Sequence, residues 1–255
     1  MVLELNLEKE SQALVLCLEK AGIKVPELDV GFAMDVSGSF DDEHQDGTTE
    51  VLLTRLVPWG LTFDPDKKLD VFTFSNGSAS VQDVGPIDAR NYQGFVRRNI
   101  IGVTGYNGGT AYSHVIESFL EHFGWKDKVK KAGFLGSLFG KKDEVVHGEQ
   151  KPSLVIIATD GDNNERGDKE RTLQVLRESE ARGDKVYFLF LGISNQGSKF
   201  PFLETLGDQF SNTGFVAIPD LRKFNGMSTE DLNEFLIGEE LLQWFAARGK
   251  QTAAA

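Results

Sequence analysis

The feature that most constrains the fold of this chain is the uninterrupted apolar run of residues 154–158, LVIIA, which ends directly in Thr159 and Asp160. A short run of this kind is typical of a strand that is buried on both faces, as in a parallel sheet. Parallel strands need crossover connections, which are usually helices. The run therefore predicts an α/β protein.

The rest of the chain alternates between strand-like and helical segments. Short apolar or alternating runs predict strands at 28–34, 69–74, 78–84, 154–158, 186–191 and 215–218. Apolar residues at helical spacing predict helices at 48–59, 88–99, 112–123, 171–182 and 228–245. The run 78–84 has one polar face, which favours an edge strand. This alternation predicts a doubly wound, mostly parallel central sheet flanked by helices, as in Rossmann-like folds.

The sequence contains no long linker and no internal repeat, which favours one domain at 28–247. We expect residues 1–27 to form an N-terminal helical segment packed on this domain, and residues 248–255 to form a frayed tail.

An insertion at about 125–151 interrupts the alternation of strands and helices. It is rich in lysine and punctuated by glycine, and long loops inside compact domains are usually disordered or functional. Two interpretations remain open: a disordered loop, or a docking element in which Phe134, Leu135, Leu138 and Phe139 share one side of an amphipathic turn.

The charge balance and the cysteine content restrict the class of protein. The chain has 27 basic and 39 acidic residues, a net charge of −12, which disfavours non-specific contact with nucleic acid. The single cysteine, Cys17, cannot form an internal disulfide, and we interpret it as a small buried hydrophobic residue. The N-terminus lacks the order of a signal peptide, and no apolar run reaches transmembrane length. These observations predict a cytoplasmic protein without a membrane span.

Three polar clusters follow predicted strands or precede predicted helices. Asp35, Ser37 and Ser39 follow the first strand, Thr110 ends the glycine-rich segment GYNGGT, and Asp160 follows the run at 154–158. In an open α/β sheet, ligands bind outside the carboxyl ends of the strands. We therefore expect these five side chains to converge at one edge of the sheet.

The chemistry of the five side chains points to a metal. Two carboxylates and three hydroxyls are hard oxygen ligands, which suit Mg²⁺ or Mn²⁺, with Ca²⁺ as a further candidate. Each cluster alone is typical of an ordinary turn or helix entry. Their occurrence together, in order and at one predicted edge, favours a metal site.

The same residues resemble the metal-ion-dependent adhesion site of von Willebrand A domains, in the segments DVSGS, GGT and TDG. Within that superfamily the chain is similar to the TerF-like branch, which is associated with tellurium-resistance and stress operons. Further likeness lies at 5–9, 69–72, 91–96, 108–112, 190–193 and 219–221. The resemblance implies that Ser37, Ser39 and Thr110 bind the metal directly, and that Asp35 and Asp160 bind it directly or through water.

The favoured function is a non-enzymatic module that binds a protein partner through the metal. A carboxylate from the partner would complete the coordination of the ion. We expect an acidic rim, which favours a partner carboxylate surrounded by basic residues. The rim residues are Asp41, Asp42, Glu43, Asp46, Asp162, Glu165 and Asp168. The candidate partner-binding residues are Asp41, Asp42, Asp162, Phe134 and Phe139.

Two other functions stay open from the residues. A metal-dependent phosphoryl-transfer enzyme is one, although no His or Lys accompanies the three clusters as a general base. A nucleic-acid-binding accessory protein that uses the basic insertion is the other. The acidic rim disfavours it, as does the absence of aromatic residues interleaved with the lysines.

Overall fold

A six-stranded central sheet organises the protein. The structure is a computed structural model that describes residues 6–130, 144–194, 197 and 199–249. The strands are β1 Asp29–Asp35, β2 Leu69–Phe74, β3 Gln82–Ile87, β4 Lys128–Lys130, β5 Glu144–Val146, β6 Ser153–Thr159, β7 Val186–Ile193 and β8 Thr213–Ile218. The central sheet has the order β3-β2-β1-β6-β7-β8, and β4 and β5 form a separate antiparallel pair. Every pairing in the central sheet is parallel except that of β2 with β3. The predicted mostly parallel α/β sheet is confirmed.

Helices cover both faces of this sheet. They are α1 Leu7–Lys20, α2 Asp41–Gln45, α3 Thr48–Phe63, α4 Phe95–Asn99, α5 Ser113–His122, α6 Asp168–Arg182, α7 Pro201–Gln209, α8 Leu221–Asn225, α9 Thr229–Leu236 and α10 Glu239–Gly249. Among the described residues, no helix has both the length and the apolar character needed to cross a membrane.

The apolar run at 154–158 is buried on both sides, as predicted. Ile156 belongs to the core between the sheet and the layer of α1, α3, α8, α9 and α10, and Ile157 belongs to the core beneath α5, α6 and α7. Phe32 and Ala33 divide between the two cores in the same way on β1. Successive side chains of a strand point to opposite faces, so a strand between two helical layers must be apolar throughout.

The N-terminal helix α1 packs against α3 and α9. The Asn6 side chain accepts the Lys9 N–H at 3.1 Å and caps the helix start. Leu14 and Leu18 are fully buried beneath α1. Cys17 is only half-buried, so our interpretation of it as a core residue was wrong: it lies at the margin of the buried stripe of an outer helix.

The helix predicted at 88–99 exists only as Phe95–Asn99, because the residues before it form turns. The Asp88 carboxylate accepts the Arg90 N–H at 2.7 Å, a turn that competes with a helical start. Gly94 has φ 68°, a left-handed conformation that prevents a continuous helix through this position.

Two further boundaries differ from the prediction. The segment 78–84 begins as the 3₁₀ helix Ser78–Ser80, and the edge strand follows at Gln82–Ile87. The C-terminal segment 228–245 is two helices, because the chain leaves helical geometry at Ile237. The Ser228 side chain caps the first of these by accepting the Asp231 N–H at 3.1 Å.

The strand order reverses between β1 and β6, the two central strands. Crossovers leave these neighbours in opposite directions, which opens a crevice above their carboxyl ends. Asp35 is the last residue of β1, and Asp160 directly follows β6. The topology therefore brings these two residues to the crevice, although 125 positions separate them in the sequence.

Candidate metal centre

The five predicted ligands meet above the crevice between β1 and β6. The Ser39 hydroxyl donates to Asp160 Oδ1 at 2.9 Å, and Ser37 Oγ lies 3.3 Å from Ser39 Oγ. The Thr110 hydroxyl lies 3.4 Å from Asp35 Oδ2. The structure thus assembles three distant segments into one cluster of oxygen atoms.

The turn after β1 is shaped by local hydrogen bonds. Asp35 Oδ1 accepts the Ser37 N–H at 2.8 Å, which keeps the carboxylate folded over the turn. Ser37 has extended backbone angles, and the chain then bends into the 3₁₀ helix Gly38–Phe40. The Phe40 side chain is fully buried and anchors the far end of the turn.

The glycine-rich segment before α5 lies against this turn. The Asn107 N–H donates to Val36 O at 2.8 Å, and the Gly38 N–H donates to Gly108 O at 3.0 Å. A Cβ at Gly105 would lie 2.5 Å from Ser80 Cβ, and the φ of Gly105 is 87°. Glycine is therefore required for the close approach that delivers Thr110 to the site.

Sequence reasoning missed Thr159 and Tyr112. Thr159 is fully buried, and its hydroxyl donates to Asp35 Oδ2 at 2.6 Å. The Tyr112 hydroxyl donates to Gly161 O and so supports the loop after β6. The segment TDG that marks Asp160 also contains Thr159, but its hydroxyl was not among the predicted ligands.

His44 is a third residue whose contribution to the site the sequence does not reveal. It is on α2 but only 2% exposed, and its Nε2 lies 3.0 Å from Asp35 O. A carbonyl only accepts, so Nε2 carries the proton and Nδ1 accepts from Thr49 Oγ1 at 2.9 Å. Burial lowers the pKa of His44 to about 4. The neutral ring therefore ties α2 and α3 to the end of β1.

The two carboxylates of the cluster both have raised pKa values. Burial, aided by the charge of Asp160, raises the pKa of Asp35 to about 7 against hydrogen bonds from Thr159 and Ser37. Burial and the charge of Glu43 raise the pKa of Asp160 to about 6. None of the ion pairs among the described residues includes either carboxylate. The site thus holds one fully buried acid, Asp35, and one half-buried acid, Asp160, and neither forms an ion pair with another described residue.

The donor set fits a small hard cation. It offers two carboxylates and the hydroxyls of Ser37, Ser39 and Thr110, all within one cluster. Within the described ranges, no group of three or more His, Cys, Asp or Glu side chains is placed to hold a metal. A cation at this site would therefore depend on the hydroxyl oxygens as much as on the acids.

Two of the predicted rim acids have side-chain partners. Asp41 accepts the Tyr106 hydroxyl at 2.6 Å, and Asp162 pairs with Lys169 at 2.8 Å. Asp42 is exposed on α2. Of the predicted partner-binding residues, Phe134 and Phe139 lie outside the described residues.

Asp168 does not belong to the rim, so that prediction was wrong. It is 3% exposed and accepts the N–H groups of Tyr112 and Ser113 at 2.8 and 3.3 Å. The Ser113 hydroxyl and the Asn163 amide also donate to it. Asp168 is therefore an internal cap for the start of α5.

A groove of about 500 Å³ lies between α2 and α8. Its α2 wall includes Asp42 and Glu43, and its α8 wall includes Arg222 and Lys223. Arg222 reaches across to Asp46 at 2.7 Å. The groove thus carries charges of both signs beside α2, the helix that follows the turn with Ser37 and Ser39.

Comparisons of the sequence give a family match and a relative of similar length. The family model vWA-TerF-like, described as the vWA found in the TerF C terminus, matches residues 27–135. The uncharacterised protein YcbR of Bacillus subtilis (strain 168) is 25% identical over 242 residues, which cover 92% of this chain and 84% of that protein.

One of the solved structures that match this chain shows the same fold. A von Willebrand factor type A protein from Catenulispora acidiphila matches with a TM-score of 0.52 and 16% identity, over 85% of this chain and 43% of that chain. The proximal thread matrix protein 1 of the mussel byssus gives a TM-score of 0.48 and 18% identity, over 84% of this chain and 47% of that chain. The chain therefore spans less than half the length of either.

Proposed function

Because this chain carries a von Willebrand A domain of the TerF-like type, we propose that it is a non-enzymatic protein-interaction module whose binding depends on a divalent metal. The metal is Mg²⁺, with Mn²⁺ and Ca²⁺ as alternatives of the same hard character. Its ligands are Asp35, Ser37, Ser39, Thr110 and Asp160.

The observation that supports this proposal is the fully buried carboxylate of Asp35 beside the half-buried carboxylate of Asp160, with no ion pair to either among the described residues. Asp35 is fully buried, and its pKa is raised to about 7, as expected for a carboxylate that has lost its hydration. A divalent cation supplies the two positive charges that Asp35 and Asp160 lack. The three neighbouring hydroxyl oxygens can also coordinate this cation through their lone pairs.

The cluster is open to an incoming ligand on one side. Ser39 is exposed, whereas Asp35, Ser37 and Thr110 are buried. A partner would therefore reach the metal from the Ser39 side, next to α2. A carboxylate is the side-chain ligand that best matches a hard cation there.

The state of His44 supports a binding role over catalysis. This imidazole lies beside the cluster, but it is buried and both ring nitrogens are engaged, with Asp35 O and Thr49 Oγ1. A general base must reach the proton that it abstracts. His44 instead holds the end of β1 in place.

The groove between α2 and α8 supports the choice of partner. Its four acids, Asp42, Glu43, Asp46 and Asp220, outnumber its two bases, Arg222 and Lys223. A partner carboxylate that carries basic neighbours would meet the metal and this acidic surplus together. The TerF-like resemblance extends the proposal to a stress or tellurium-resistance system.

Mg²⁺ titration by calorimetry tests the metal site. We expect the wild-type protein to bind Mg²⁺, Thr110→Ala to bind it about tenfold more weakly because one ligand oxygen is lost, and Asp35→Ala not to bind it. Asp42→Asn is the matched control, because it removes an exposed rim charge without removing a ligand. Equal affinity in wild type and Asp35→Ala would overturn the site.

Binding and turnover assays separate a module from an enzyme. Immobilised wild type and Thr110→Ala are compared for protein capture in Mg²⁺ and in EDTA, and both are assayed for ATP and phosphodiester hydrolysis. The module predicts capture by the wild type in Mg²⁺ alone and no hydrolysis. Hydrolysis that disappears in Thr110→Ala would replace it with a metal-dependent phosphoryl-transfer enzyme.

A further inference from the structure

Two asparagines hold the backbone of the loop that carries Thr110. The side-chain oxygen of Asn76, which follows β2, accepts the Gly109 N–H at 2.9 Å. The side-chain oxygen of Asn164, in the loop after β6, accepts the Thr110 N–H at 2.8 Å. The N–H groups of two successive residues, Gly109 and Thr110, thus donate to side chains from the loops that follow β2 and β6.

The two glycines before Thr110 leave the room for this arrangement. A Cβ at Gly108 would lie 2.6 Å from Asn76 Oδ1, and a Cβ at Gly109 would lie 2.6 Å from Asn164 Oδ1. Any side chain there would push the amide oxygens away from the backbone. The segment GGT is therefore shaped for the asparagines as well as for the hydroxyl.

Asn164 is tied to Thr110 a second time, through its own backbone. The Asn164 N–H donates to Thr110 O at 3.1 Å, so the two residues exchange a pair of hydrogen bonds. Asn164 belongs to the same loop as Asp160. This pair therefore fixes the position of Thr110 relative to the carboxylate across the cluster.

We propose that Asn76 and Asn164 are positioning residues, which hold Thr110 Oγ1 at the cluster before a metal arrives. This inference rests on the proposed metal site. Thr110 is only 1% exposed, so its hydroxyl cannot swing in from solvent, and its place depends on the backbone that the asparagines fix. Groups around a site that orient the direct ligands govern affinity without touching the ion.

The test is calorimetry with Mg²⁺ alone as the ligand. We expect Asn76→Ala and Asn164→Ala each to bind Mg²⁺ about tenfold more weakly than wild type. The melting temperature of the metal-free protein should hardly change, because both asparagines are exposed. Asn91→Ala is the matched control: Asn91 is also exposed and accepts one backbone N–H, from Asp88 at 2.8 Å, away from the cluster. It should bind as wild type does.

A double-mutant cycle separates positioning from a general effect on the fold. If the asparagines act through Thr110, Asn164→Ala should cost no further affinity in a Thr110→Ala background. Asn164→Asp keeps an acceptor for the Thr110 N–H and should restore binding, including at high salt, where added charge alone contributes little.

The outcomes are distinguishable from those of the proposed function. Absence of Mg²⁺ binding by the wild type overturns both proposals. Binding by the wild type with unchanged affinity in both alanine variants overturns the positioning role alone. The positioning role alone is also overturned if Asn164→Ala weakens Mg²⁺ binding by the same factor in the wild-type and the Thr110→Ala backgrounds.

Discussion

Asp35 and Asp168 are two buried carboxylates at the same edge of the sheet, and they differ in the number of hydrogen bonds that they accept. Asp168 accepts hydrogen bonds from two backbone N–H groups and three side chains. Asp35 accepts hydrogen bonds from only one backbone N–H, that of Ser37, and from the hydroxyls of Thr159 at 2.6 Å and Thr110 at 3.4 Å, and it lies near a second acid. A carboxylate that serves the fold is saturated with donors, whereas one left short of donors is suited to a cation.

The largest expected effect is that of Asp168→Ala on stability. Removing this carboxylate leaves buried donors of Tyr112, Ser113 and Asn163 without an acceptor, which should lower the free energy of unfolding by about 3 kcal/mol. Urea denaturation of the metal-free protein measures the loss. Asp162→Ala is the control on the same loop, because its partly exposed pair with Lys169 should contribute less than about 1 kcal/mol. Similar stabilities of the two variants would show that the Asp168 carboxylate is no more important to the fold than the Asp162 carboxylate.

Asp35→Asn should raise the stability of the metal-free protein, whereas Asp168→Ala should lower it. The amide keeps an oxygen acceptor but removes a buried charge, so at about pH 8 the metal-free variant should be more stable than wild type by roughly 1–3 kcal/mol. It should also lose the stabilisation by Mg²⁺, which for the wild type is about 2.7 kcal/mol at a concentration of 100 times Kd. Thermal unfolding with Mg²⁺ and with EDTA measures both. A destabilised Asp35→Asn would make Asp35 a structural carboxylate like Asp168.

The smallest effect is the pH dependence of stabilisation by Mg²⁺. The folded-state pKa values of Asp35 and Asp160, about 7 and about 6, lie above the ordinary 3.8. Their contribution to metal-free stability is therefore complete below about pH 4 and is lost as the pH rises through about 7. Metal binding requires the ionised forms, so the Mg²⁺-induced gain should rise by about 1 kcal/mol between about pH 6 and about pH 7.5.

His44 also contributes to the pH dependence of stability in that experiment. Its folded-state pKa is lowered to about 4, so its contribution is present above about 6.5 and is lost as the pH falls toward 4. It acts in both the Mg²⁺ and the EDTA samples and cancels in their difference. A Mg²⁺-induced gain that stays constant with pH would show that neither acid loses a proton to solvent when the metal binds.

The sequence was sufficient to predict the sheet and the five clustered side chains. Buried strands are marked by their own apolar runs, and Asp35, Thr110 and Asp160 each stand next to a strand end or a helix start. The shared edge then follows from the rules of parallel sheets. Errors came where a local turn competes with helical spacing, as at Asp88 and Gly94.

Contacts between loops could not be predicted in this way. The charge of Asp168 is evident from the sequence, but its inward direction depends on the start of α5, 55 positions earlier in the chain. Asn76 and Asn164 have the ordinary appearance of loop residues, and only the folded loops show which N–H groups they hold. His44 lies on a short helix whose burial depends on α3 and the end of β1.

The separation of the ligands along the chain has a kinetic consequence. The hydrogen bonds that join the cluster connect residues up to 124 positions apart, across the pairing of β1 with β6. Such contacts close long loops and form only after the central strands have met. An unfolded or half-folded chain offers no assembled site to a divalent ion. We therefore expect the ion to lengthen the lifetime of the native state while leaving the speed of folding almost unchanged.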